Sequence, residues 1–126
     1  MRLYSVAVCS LVVNAPAKWM DNLLSQHDIP GVAHRDRGLP RGVSWHALVR
    51  IGLIRILSHE LGCSVRDAVA LAERLMDRPE MEIVDVIAIR FDRSLLEVRL
   101  QERLNYALET APRPRRGRPP RRARVV

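Results

Sequence analysis

The residues of this 126-residue chain best suited to chemistry are its arginines, and they crowd one end. Arg113, Arg115, Arg116, Arg118, Arg121, Arg122 and Arg124 fall within residues 111–126, where no acid occurs. The other 110 residues carry 14 basic and 14 acidic side chains, so this tail holds the whole net charge of +7. A guanidinium is always protonated and its planar fork matches phosphate oxygens. Within the run, Arg115-Arg116-Gly117-Arg118-Pro119 is followed by Pro120-Arg121-Arg122. The glycine lets the backbone approach a groove floor, the prolines hold the chain extended, and the arginines suit the negative potential of a narrow minor groove. The ligand implied is a polyanion.

A second set lies near the start. Residues 16–26 carry Met20, Leu23 and Leu24 at helical spacing, which leaves Ala17, Lys18, Asp21, Asn22 and Ser25 facing outward. Lysine reaches phosphate or guanine, and asparagine can bond adenine through two atoms. Trp19 sits i, i+4 with Leu23 and fits either the core or the edge of a groove. A third set, Arg35, Arg37 and Arg41, lies in residues 32–43, where Gly38, Pro40 and Gly42 mark a hairpin. Arginines so placed position a protein on phosphates without reading bases.

Nothing forms a catalytic or metal set. His27, His34, His46 and His59 lack ligand spacing, and His59-Glu60 has no second histidine four residues on. Cys9 and Cys63 are neither a disulfide framework nor a thiolate pair spaced for metal, and read as small core residues. The expectation is no enzyme, no cofactor, no metal and no small-molecule ligand. The longest apolar stretch, 47–57, is interrupted by Arg50 and Arg55 and is too short to span a membrane.

The elements that position these residues are mostly helices. Ser5 can cap a short apolar helix to about Val12, Asn14 suits a left-handed turn, and Pro16 suits the first turn of the next helix. Ser44 caps a long apolar helix from Trp45 to about Leu61, closed by Gly62. Ser64-Val65-Arg66-Asp67 resembles a capping box and opens a helix that Pro79 stops. The β-branched run from Met81 to Phe91 predicts one strand. Asp92 or Ser94 then caps a last helix to about Thr110, with Leu96, Leu100, Leu104 and Leu108 as its stripe. One strand and one helix close little core, so Ile83, Ile87, Ile89 and the leucine stripe are expected to meet a second copy or another protein.

This order resembles the winged helix-turn-helix domain of MerR-like regulators over residues 4–76. Tyr4-Ser5-Val6 fits its opening, Ser10 the small residue where two helices touch, Asn14 the usual glycine turn, Met20 the buried leucine and Leu23 the aromatic of the second helix. Arg41-Gly42-Val43-Ser44 fits the wing exit, and Leu57 with Leu61-Gly62-Cys63-Ser64 fits the joint between the last two helices. The family's paired tyrosines, long coiled coil and metal-binding cysteines are absent. In the tail, Arg116-Gly117-Arg118-Pro119 resembles an AT-hook. The resemblances imply a major-groove reading helix (16–26), a wing (32–43) and a minor-groove tail.

The resulting expectation is a mainly α fold with a small β wing. Residues 1–80 form the DNA-binding domain, 81–110 a strand-helix dimerisation or docking extension, and 111–126 a basic tail. The function expected is sequence-specific binding of double-stranded DNA by a cytoplasmic, nucleoid-associated homodimer, as repressor or architectural factor. An antitoxin repressing its own operon, with a cognate toxin as partner, fits the same features. So does an adaptor whose tail alone holds nucleic acid. The start of the chain also has the outline of a secretion signal, with apolar residues 6–13 before Ala15-Pro16-Ala17, but that core is short and holds Cys9 and Ser10.

Overall fold

The computed structural model describes residues 2–33 and 40–110. These residues are mainly helical, with two small antiparallel sheets. Strand β1 (Tyr4–Ser5) runs directly into helix α1 (Val6–Val12), because Ser5 keeps extended backbone and its Oγ accepts from the Val8 amide at 3.1 Å. That satisfies one of the amides a helix start leaves unpaired. Asn14 then takes φ 55°, the left-handed conformation the sequence predicts, and the Ala15 amide closes the turn on the Ser10 carbonyl at 3.0 Å. Pro16 is extended and precedes helix α2 (Ala17–Gln26), one residue later than expected.

Strands β2 (Val32–Ala33) and β3 (Gly42–Val43) pair antiparallel, and β1 adds to the other side of β3 to give the order β1-β3-β2. The register sets Val43 opposite both Tyr4 and Val32. The third strand was hidden in sequence, since two residues have no periodicity. Gly31 turns the chain into β2 at φ 94°, and its carbonyl receives the Ser44 amide at 3.0 Å. Ser44, itself buried, caps helix α3 (Trp45–Arg55) through a bond from the Ala47 amide to its Oγ.

Helix α3 is the centre of the fold, buried on most of its circumference through Ala47, Leu48, Val49, Ile51, Gly52, Leu53 and Ile54. It continues into a π-helical turn, Ile56–Glu60, with the Leu61 amide on the Ile56 carbonyl at 3.2 Å. Gly62 at φ 78° leads to the Ser64 cap of helix α4 (Val65–Asp77).

The run from 81 to 91 is not one strand. It folds as a hairpin, β4 (Glu80–Val84) and β5 (Ile87–Arg90), around a turn at Asp85 and Val86. Asp85 falls at the reversal, between Val84 and Val86, and no glycine or asparagine marks it. Helix α5 (Arg93–Thr110) follows, capped by Asp92, whose Oδ1 accepts from the Leu95 amide at 3.0 Å.

Helix α5 also corrects an expectation. Leu96, Leu100 and Leu104 are buried in their own chain, against α1 and α3, rather than left for a partner. The buried stripe then steps to Ala107, so Leu108 is 38% exposed. Gly52 makes this closeness possible, because a Cβ there would sit 3.0 Å from Leu100 Cδ1. Ile89 packs against the same core, while Ile83 and Ile87 stay exposed. A single core thus runs from Cys9 to Ala107, and residues 81–110 help close it.

Candidate nucleic-acid interface

Helix α2 has two chemically distinct faces. Met20, Leu23 and Leu24 are buried against the body, while Ala17, Lys18, Asp21, Asn22 and Ser25 are all exposed. Helix α1 packs behind it across the Asn14 turn, so the exposed row is held on a rigid element. Two turns of helix present one cation and one amide in reach of a common ligand surface.

Arg41 joins this face from the foot of β3. Its NH2 donates to Ser25 Oγ at 3.2 Å and its NH1 lies 3.7 Å from Asp21 Oδ1. The Arg41 side chain is only 17% exposed and its Nε is buried without a partner. It therefore ties the sheet to α2, which differs from the freely projecting wing arginine the sequence predicts. The structure brings Asp21, Ser25 and Arg41 together. Arg35 and Arg37 lie outside the described residues, as do Arg115, Arg116, Gly117, Arg118, Pro119, Arg121 and Arg122.

Three further arginines surround the α1–α2 unit and were not singled out in sequence. Arg2 stacks over the Tyr4 ring at 5.0 Å. Arg55 lies 5.0 Å over the Trp19 ring while its NH2 donates to the Asn14 carbonyl at 3.1 Å. Arg103 NH1 reaches the Val12 carbonyl at 3.4 Å. The available signal was Arg55 itself, a charge inside the most apolar stretch, which demands a partner when buried. Trp19 is half-buried and packed on the core under that guanidinium, as the core reading expects.

Two further titratable groups depart from their ordinary values. Burial pushes the Cys9 thiol up to about 12, which keeps it neutral and unreactive. His46 is held below its ordinary value, first by desolvation and then by the Arg50 and Arg93 charges, with Glu97 opposing. Its Nε2 lies 3.4 Å from Arg50 NH2. Among the described residues no three His, Cys, Asp or Glu side chains converge to hold a metal ion, and no helix is long and apolar enough to cross a membrane. Comparison of the chain with protein-family models, characterised proteins and solved structures found no match.

Proposed function

We propose that this chain is a sequence-specific double-stranded DNA-binding protein with a winged helix-turn-helix architecture similar to that of MerR-like regulators, acting in transcriptional regulation. The observation that carries this reading is the outward row of α2, with Lys18 and Asn22 on a helix anchored from behind by α1 and from the side by Arg41. A helix presented this way enters a major groove and offers its side chains to base edges. The strand-helix-turn-helix-strand-strand order and the left-handed Asn14 turn support the same architecture.

In this mechanism α2 supplies direct readout, Asn22 toward adenine and Lys18 toward guanine or phosphate. The β2–β3 segment, carrying Arg35 and Arg37 in its connection, lies along the neighbouring backbone. The Arg116-Gly117-Arg118-Pro119 segment occupies the minor groove of AT-rich DNA as an AT-hook does, tethered close to the bound domain and so at high effective concentration. A protein-interaction adaptor is the second reading, favoured by the exposed apolar hairpin side chains Ile83, Val84, Val86 and Ile87.

Binding titrations across salt, with the full chain and residues 1–110 on AT-rich and random duplexes, test the proposal. The last buried core residue is Ala107, so the truncation keeps the core. If the tail makes about 4 phosphate contacts, its loss flattens log K against log[salt] by about 3–4. A preference among duplexes that survives in 1–110 supports a reading head. Loss of all binding with the tail favours the adaptor.

A further inference from the structure

The β4–β5 hairpin ends in an unusual way. Two-residue hairpin turns commonly take a positive φ and so favour asparagine, aspartate and glycine, whereas neither residue of this turn has one. Here the turn is Asp85-Val86, with Val86 87% exposed and its neighbours Val84 and Ile87 52% and 54% exposed. A two-stranded hairpin is marginal by itself, and only Met81 and Ile89 of this one pack onto the core. The tip thus projects roughly 10 Å beyond that anchor at the usual rise per strand residue. It is an apolar finger with a single acid at its end.

The body carries a matching recess. A cavity of about 510 Å³ opens between the π-helical turn, β5 and α5, with Leu53, Leu57, Phe91 and Leu96 among its apolar lining. The π-helical turn places Ile56 and Leu61 beside it, 39% and 65% exposed. Such turns are uncommon and concentrate at functional positions. Arg55, Arg90, Arg99 and Arg103 contribute four cations to the lining, against the acids Glu60 and Asp92. The Arg90 and Arg99 side chains are exposed and make no ion pair or hydrogen bond with a described residue. Asp85 is likewise unpaired.

We propose that a second copy of this chain seats its Val84-Asp85-Val86-Ile87 tip in this cavity, with Asp85 against Arg90 and Arg99, and that the exchange is reciprocal. Apolar finger meets apolar recess, and the one acid of the tip meets the two free cations of the rim. A two-fold axis uses every such contact twice, so a small tip suffices for a specific dimer. The exposed Leu95 and Val98 on α5 lie alongside and extend the same surface. The pairing holds whether or not the protein binds DNA.

Sedimentation equilibrium of the full chain, with circular dichroism of each variant, tests this. The unaltered chain is expected to be dimeric. Val86→Asp, at a fully projecting position, is expected to give a folded monomer. Asp85→Arg and Arg99→Glu are each expected to weaken the dimer about tenfold or more, and the double variant Asp85→Arg/Arg99→Glu to regain affinity by exchanging the two charges. A chain that remains monomeric at its highest soluble concentration overturns the proposal. So does a dimer that Val86→Asp leaves intact, or a double variant no tighter than the singles. A dimer that behaves as expected but ignores DNA keeps this inference and removes the regulatory reading.

Discussion

Arg41 and Asp21 are joined across the candidate interface, with Arg41 NH1 3.7 Å from Asp21 Oδ1. The contact links the foot of the β2–β3 hairpin to the outward row of α2. It also neutralises a cation where a phosphate-binding surface wants one. At 3.7 Å, with Asp21 61% exposed, the pair is worth at most about 1 kcal/mol to stability. Its consequence lies in binding more than in folding.

Substitutions at the two residues should therefore move DNA affinity in opposite directions. Asp21→Asn frees Arg41 for a phosphate, so affinity for any duplex rises and the salt slope steepens by about 1. Arg41→Ala leaves the Asp21 carboxylate unopposed and removes the bond to Ser25, so affinity falls while the salt slope stays near that of the unaltered chain. Anisotropy titrations at several salt concentrations read both. Equal losses in the two variants would mean that the pair acts only as a structural clasp.

Arg55 does a comparable task behind helix α2. It covers the Trp19 ring and holds the Asn14 carbonyl, so one side chain of α3 fixes both the α1–α2 turn and the first turn of α2. Arg55→Met keeps the apolar stem but loses the stack and the bond, and should lower unfolding free energy by about 1–2 kcal/mol in urea titrations. Arg55→Lys keeps the charge without the planar stack and should fall between. If lysine fully restores stability, charge rather than stacking is what matters there.

These two contacts also mark the limit of what the sequence discloses. Ser5, Ser44 and Ser64 were legible as helix caps because a cap is a local bond, three residues long. The left-handed Asn14 and the exposed row of α2 were legible from residue type and helical period. Arg55 to Asn14 spans 41 residues and Arg103 to Val12 spans 91, and no local pattern encodes such pairs. The hairpin was missed for the opposite reason: a run of β-branched residues reads the same whether it continues or doubles back. The burial of Leu96, Leu100 and Leu104 was legible as a stripe, but not that the stripe would be covered by α1 and α3.

The positive-φ glycines separate strain from crowding. Gly31 and Gly62 sit at φ 94° and 78°, yet a Cβ at Gly62 meets nothing, whereas one at Gly31 meets the Ser44 Oγ that caps α3 and lies 3.0 Å from the Ala47 Cβ. Gly62→Ala should cost about 1 kcal/mol from backbone strain alone. Gly31→Ala adds displacement of a buried cap and should cost about 2–4 kcal/mol. Thermal or urea unfolding of both checks the order. Equal costs would show that the Ser44 cap yields freely.

His46 gives a pH dependence with a definite sign. Its folded value is depressed, first by desolvation and then by Arg50 and Arg93. A depressed histidine contributes stability that is present above the unfolded value near 6.5 and is lost as pH falls through the folded value. Proton resonances of the imidazole should titrate below that of a free histidine. Arg50→Gln should raise the midpoint only in part, because desolvation is the larger cause. A full return to the free value would make the Arg50 charge the dominant one instead.

Cys9 and Cys63 should respond very differently to a thiol reagent. Cys9 is fully buried and its thiol is pushed up to about 12, whereas Cys63 is half-buried in the joint before α4. Iodoacetamide at pH 8 should modify Cys63 in the native protein and Cys9 only after denaturation, as read by peptide mass spectrometry. The same burial sets a stability limit in base. Because folding raises the Cys9 value from an ordinary 9.0, its contribution is intact below pH 9 and declines as the pH rises toward 12. Cys9→Ala removes this titration but leaves a small void, so it should lower stability at neutral pH while flattening the alkaline fall. Alkylation of native Cys9 at a rate near that of Cys63 would mean that α1 opens readily, and with it the support behind the outward face of α2.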